Sequence, residues 1–157
     1  MSTTVYTSGE TKEEIYKELQ PQMIGLMQGE DNMVAKLANF AAVMKEVFNF
    51  HWVGFYLVEG DELVLGPFQG PVACTRLQRG KGVCAKAWET KSLQNIPDVD
   101  SFPGHVACSA LSKSELVIPL LNRNQEVWAV LDIDSDQYND FNSADEQGLS
   151  ELLSTLS

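Results

Sequence analysis

Apolar positions recur along this chain with two different periods, and the changes of period divide it into elements. Val34, Leu37, Ala38, Ala41, Met44 and Phe48 follow one another at three- and four-residue spacing. That spacing predicts a helix with one packed face, capped by Asp31 or Asn32. An earlier helix is expected at the capping-box pattern of Thr11 to Glu14, where Ile15 and Leu19 open an apolar stripe that Pro21 bends or ends. The period then drops to two. "HWVGFYLVEG" and "DELVLGPF" read as strands joined in a hairpin at "EGDE", and "ELVIPLLN" and "EVWAVLDID" as a second hairpin about the Asn122 to Gln125 turn. A last helix is predicted from Ser143 and Glu146 as a capping box and from Leu149, Leu152, Leu153 and Leu156 as its apolar stripe.

Between the hairpins neither period holds. "PVACTRLQRGKGVCAKAWETK" contains one short helix candidate after Gly82, and Pro97 to Ser112 reads as a long connection. The first ten residues are small and polar, a loose tail or a short docking segment. Helices outside, strand pairs inside and a helix at the close add up to an antiparallel sheet covered by helices, an α+β domain. With 157 residues the chain is about one domain long. Its long middle loops are where a ligand site is expected.

Composition narrows the function. Eleven basic and 22 acidic side chains give a formal charge of −11, which repels phosphate backbones and anionic membrane surfaces, so neither nucleic acid nor membrane is an expected partner. No stretch approaches the roughly 20 apolar residues of a membrane span. No charged-then-apolar leader follows "MSTTVYTSGE", so a cytoplasmic setting is expected, in which cysteines are structural, metal-binding or redox-active.

Strand alternation sorts the candidate side chains. In "WVGFYLV" it puts Trp52, Gly54 and Tyr56 on one face and Val53, Phe55 and Leu57 on the other. Two rings flanking a glycine either leave a slot or pack in the core beside a bend. In "VWAVLDID" it puts Trp128, Val130, Asp132 and Asp134 together, with the two carboxylates roughly 7 Å apart, so that each raises the pKa of the other. Asp134 also fits a strand end capping the next turn; Asp132, inside the apolar run, does not. Cys74, Cys84 and Cys108 form no C-x-x-C, which argues against zinc and against a thioredoxin-like motif. Cys108 lies in a loop with His105 and Lys113 as candidate cationic neighbours, although His105 by itself reads as a surface loop histidine. A thiolate that attacks an oxidised sulfur becomes a sulfenic acid, and a second cysteine can then displace water; Cys74 and Cys84 are both available. "RGKGVCAKA" lacks the third glycine and the G-K-[ST] ending of phosphate loops, so its glycines read as a tight turn into the helix.

Taken in order, "WVGFYL", "GPFQGPVAC", "GKGVC", "FPGHVACSALSKSELV" and "VLDIDS" are a strong signature. The chain resembles the free methionine-(R)-sulfoxide reductases, stand-alone GAF domains, from about Tyr6 to Leu156. The resemblance implies one GAF domain over residues 1–157, PAS/profilin-like, with an antiparallel sheet of about six strands and helices packed on one face. It implies reduction of free L-methionine (R)-S-oxide to methionine with no cofactor, thioredoxin returning the electrons. By motif, Cys108 takes the nucleophile position, Cys74 the resolving one, and Cys84 is the third family cysteine. Trp52 and Tyr56 fall where the family's aromatic pair receives the sulfoxide methyl group. Glu115, Asp132 and Asp134 match its acidic cluster, suited both to protonating the sulfoxide oxygen and to receiving the ammonium group. Related domains often dimerise through their terminal helices, so a homodimer is allowed. Two departures, Ala129 in place of glycine and a preceding turn one residue longer, bear on local sheet geometry. The alternatives from other classes are a small-molecule-sensing GAF domain without catalysis and a cysteine redox switch.

Overall fold

A computed structural model describes residues 4–106 and 108–157. In chain order the elements are α1 (Lys12–Met27), α2 (Met33–Phe48), β1 (Trp52–Glu59), β2 (Glu62–Gln69), β3 (Arg76–Gln78), α3 (Gly82–Thr90), β4 (Gln94–Ile96), β5 (Ser114–Leu121), β6 (Val127–Ser135) and α4 (Ser143–Leu153), with short 3-10 turns at Val99–Ser101 and Ser154–Leu156. The strands make one antiparallel sheet in the order β3-β2-β1-β6-β5-β4. The expected α+β architecture is therefore present. Its two edge strands, three residues each, are too short to show alternation in the sequence.

The sheet separates two cores. On one side Val53, Phe55, Leu116, Ile118, Leu131 and Ile133 pack against apolar residues of α1, α2 and α4. On the other side Trp52, Tyr56, Val117 and Val130 pack against α3, so one helix lies on the face that carries the loops. In α2 the buried stripe is Leu37, Phe40, Ala41, Val43 and Met44; Val34 and Ala38, expected to pack, are exposed, because the stripe is centred on Leu37, Phe40 and Met44 and leaves them at its solvent edge. Asn32 is its cap, accepting from the Ala35 N–H at 3.1 Å.

Pro21 does not end α1, which runs on to Met27. It sits on the exposed side, so the carbonyl it leaves unpaired, that of Lys17, also faces water, while Tyr16, Leu19, Met23 and Met27 form an unbroken buried stripe. Residues before α1 lie along it: the Tyr6 N–H donates to Gln22 Oε1 and the Ser8 N–H to Glu18 Oε2, which makes this part a docked segment. Met1 to Thr3 of the expected tail lie outside the described residues.

The cap of α4 is one residue earlier than the pattern predicts. Asn142 and Asp145 form the capping box in place of Ser143 and Glu146. Tertiary contacts select Asp145: its carboxylate is fully buried, meets Lys12 Nζ at 2.5 Å and accepts from the Tyr16 hydroxyl at 2.8 Å, tying α4 to α1. Asp145→Ala strips both partners and the cap at once. Urea unfolding should show a loss of about 3 kcal/mol; a variant as stable as the parent would mean that this network holds nothing.

Alternation in β6 also breaks where the sequence kept it. Leu120 pairs with Ala129 but Leu121 with Val127, so Trp128 is an extra residue in the ladder. The bulge turns Trp128 toward the helix-covered core and Val127 toward the other. From Val130 onward the predicted faces hold.

Candidate active site

Register places the polar residues. Trp52 lies opposite Asp134 and Asp134 opposite Glu115, while Gly54 lies opposite Asp132, all on the face away from α1, α2 and α4. The rings of Trp52 and Tyr56 lie side by side with centroids 5.9 Å apart. They do not bracket an open slot: a Cβ on Gly54 would meet Phe68 Cβ at 2.3 Å and the Trp52 ring at 2.8 Å, so the space over the glycine is occupied. Instead the two rings share one wall of a cavity, whose floor carries Glu115, Asp132 and Asp134 and whose side is the first turn of α3.

Two loops close the mouth. The Trp52 indole N–H donates to the Pro71 carbonyl at 3.1 Å and the Tyr56 hydroxyl to the Cys74 carbonyl at 2.8 Å, so the aromatic wall also holds the loop that bears Cys74. Across the mouth lie His105, Val106, Cys108, Ser109 and Ser112, from the connection that precedes β5. A disulfide joins Cys74 to Cys108, with Cα atoms 5.6 Å apart and a sequence separation of 34. Of the two thiols available to pair with Cys108, Cys84 is the one left free among the described residues, buried in α3.

Burial governs the electrostatics. Glu115 and Asp132 are each 6% exposed. Burial first and Asp134 second raise Glu115 to about 8. Burial and then Glu115 hold Asp132 well above the carboxylate range; burial and then Asp132 do the same for Asp134. The Cys84 thiol is pushed up by burial and by Asp132. Burial therefore favours the protonated forms of these acids, a store of protons beside the Cys74–Cys108 disulfide. Asp132 Oδ1 is buried with no hydrogen-bond partner among the described residues. The ligating atoms of Cys84, Glu115 and Asp132 lie within 4.8 Å of one another, close enough to converge on one cationic group.

Several neighbours differ from expectation. His105 is no surface residue: its side chain is 14% exposed and Nε2 stands 3.4 Å from Glu115 Oε1. Burial lowers its pKa. Lys113 turns instead over the Tyr138 ring, 5.3 Å from its centroid. The cation that lines the cavity is Lys81, at the N-terminus of α3, whose first turn has no side-chain cap. The paired glycines of "GKG" were the one sign of this turn in the sequence. Ser109 and Ser112 also line the cavity and carried no signal of their own.

Comparison with known proteins agrees with this arrangement. Residues 32–157 match the GAF domain family. The chain is 52% identical to GAF domain-containing protein A of Dictyostelium discoideum, over 99% of each chain. It is 47% identical to the free methionine-R-sulfoxide reductase of Escherichia coli, over 92% of this chain and 88% of that one. The structure of free methionine-R-sulfoxide reductase from Neisseria meningitidis in complex with its substrate superposes with a TM-score of 0.95 at 45% identity, over 99% of this chain and 93% of that one.

Proposed function

Because the chain belongs to the free methionine-R-sulfoxide reductases of the GAF domain family, we propose that it reduces free L-methionine (R)-S-oxide through Cys108. The observation that carries this reading is the Cys74–Cys108 disulfide at the rim of a small cavity floored by protonated acids. The Cys108 thiolate attacks the substrate sulfur while an acid of the Glu115, Asp132 and Asp134 set donates a proton to the oxygen. Methionine leaves, and the oxygen stays on Cys108 as sulfenic acid. The Cys74 thiol then attacks the Cys108 sulfur, water departs, and the disulfide forms. A dithiol protein of the thioredoxin type takes the disulfide back to two thiols and becomes oxidised itself. Cys84 remains reduced and packs against the acids.

The same cavity accounts for selection of the free amino acid. The unpartnered Asp132 oxygen and its neighbours suit an ammonium group. The uncapped first turn of α3 with Lys81 suits the carboxylate, since helix N-termini favour anions. Trp52 and Tyr56 supply the apolar wall for the methyl group. A residue inside a polypeptide has neither terminal charge to offer. On this reading residues 1–157 form one GAF domain that works in the cytoplasm without a cofactor, as a monomer or homodimer. Among the described residues no helix is long and apolar enough to cross a membrane.

Each epimer of free methionine sulfoxide, and a peptide containing the (R)-sulfoxide, should be incubated with the protein and dithiothreitol, and methionine release followed. Turnover is expected of the free (R) form alone. Equal rates on both epimers, or turnover of the peptide only, would overturn the assignment.

A further inference from the structure

His51 immediately precedes β1, does not line the cavity, and has no part in the chemistry above. Its Nε2 lies 3.1 Å from the hydroxyl of Ser109, the residue after Cys108. Ser109 Oγ in turn accepts from the Leu111 N–H at 3.3 Å, a local turn that fixes the hydroxyl toward the loop. The opposite loop is anchored at the same place. Gly70 has φ +138°, and a Cβ there would meet Trp52 Cδ1 at 2.8 Å and the His51 carbonyl oxygen at 2.9 Å. One residue further on, the Pro71 carbonyl receives the Trp52 indole N–H. The pair His51 and Trp52 thus holds both cysteine loops, Trp52 the one bearing Cys74 and His51 the one bearing Cys108.

We infer that His51 is a positioning residue that holds Cys108 within bonding reach of Cys74 by its hydrogen bond to Ser109. The inference rests on the reading of Cys108 and Cys74 as the reacting pair. The connection that carries Cys108 runs from the 3-10 turn at Val99–Ser101 to β5 at Ser114, and among its described residues the backbone ties to the rest of the fold lie at its two ends, where the Val99 N–H donates to the Lys113 carbonyl and the Lys113 N–H to the Ser135 carbonyl. A loop of that length samples many positions unless a side chain fixes it, and ring closure between two loops depends on how often the two sulfurs meet. The hydrogen bond is made while the two sulfurs are joined, so it holds the Cys108 loop in a position compatible with that bond.

The step to measure is closure: Cys108 sulfenic acid and the Cys74 thiol give the disulfide and water. Reduced protein is oxidised in two arms, one with hydrogen peroxide, which leaves sulfenic acid and water, and one with free methionine (R)-sulfoxide. Disulfide is quantified by mass spectrometry, and waiting sulfenic acid is trapped with dimedone. In His51→Ala closure should slow about fivefold, the worth of one hydrogen bond, and the dimedone adduct should rise to match, with the affinity for methionine sulfoxide unchanged. His51→Gln, whose amide nitrogen can stand where Nε2 does, should restore the rate. Ser109→Ala should reproduce the slowing, and the double variant should be no slower than either single one. Closure at the parental rate in folded His51→Ala, additive losses in the double variant, or no rescue by glutamine would each overturn the inference. The peroxide arm does not depend on the substrate: absence of turnover with the sulfoxide beside normal closure with peroxide would count against the proposed function and leave the role of His51 standing.

Discussion

Cys108→Ser should lose methionine release by at least about a thousandfold, while the affinity for free methionine sulfoxide stays close to that of the parent. A serine hydroxyl is almost wholly protonated at neutral pH and is a poor nucleophile toward sulfur, so nothing replaces the attacking thiolate. The cavity wall and floor that would hold the substrate belong to β1, β5, β6 and α3 and do not depend on that sulfur. Methionine release with dithiothreitol, set beside calorimetric titration of the sulfoxide, reads the two quantities separately. Turnover that survives the substitution would remove Cys108 from the mechanism. A parent protein that binds without turnover would instead make this chain a sensing domain.

Glu115→Gln should give a protein that is more stable near neutral pH and nearly inactive. The sign follows from proton counting. Glu115 titrates at about 8 in the folded protein against an ordinary 4.5, so between those values the folded chain keeps a proton that the unfolded chain has released. Stability contributed by the protonated acid is complete below about pH 4.5 and falls as pH rises toward 8. By pH 7 the cost is on the order of 3 kcal/mol, which a neutral amide of the same shape avoids. It also relieves Asp132, whose pKa Glu115 helps to raise. The amide has no proton to give and no charge for an ammonium group, so kcat/KM should fall by about a hundredfold or more. A loss in kcat would mark Glu115 as the proton donor, and a rise in KM as the ammonium partner. Denaturant unfolding from about pH 5 to about pH 9 should show a falling stability for the parent that is shallower in the variant; parallel curves would show that Glu115 carries no such cost.

These acids also show what could be read in advance. Asp132 stood out because an ionisable residue inside the apolar run "VWAVLDID" lacks a bland explanation, and alternation put it on the face of Asp134. Glu115, by contrast, came from the resemblance; only the β5–β6 register sets it opposite Asp134. The burial of His105 has no sign in its own segment, because it is created by Glu115 and by the loop around it. The residues alone left Cys74 and Cys84 equally open as partners of Cys108, and the family motif pointed to Cys74. In the fold Cys84 sits inside α3 while Cys74 rides a loop tied to the aromatic wall.

By itself the sequence determined α2, α4, both hairpins and the facing of β1, because helical and strand periods are set by the backbone of a single segment. It determined the chemistry on offer as well, three thiols and a surplus of carboxyl groups in one acidic chain. The tertiary structure decided where α1 continues past Pro21, where Trp128 bulges, which of two capping boxes forms, and which edge strands of three residues exist. It also decided which thiols meet. Each of these outcomes depends on burial against a segment distant in the chain, and periodicity within one segment carries no information about its partner.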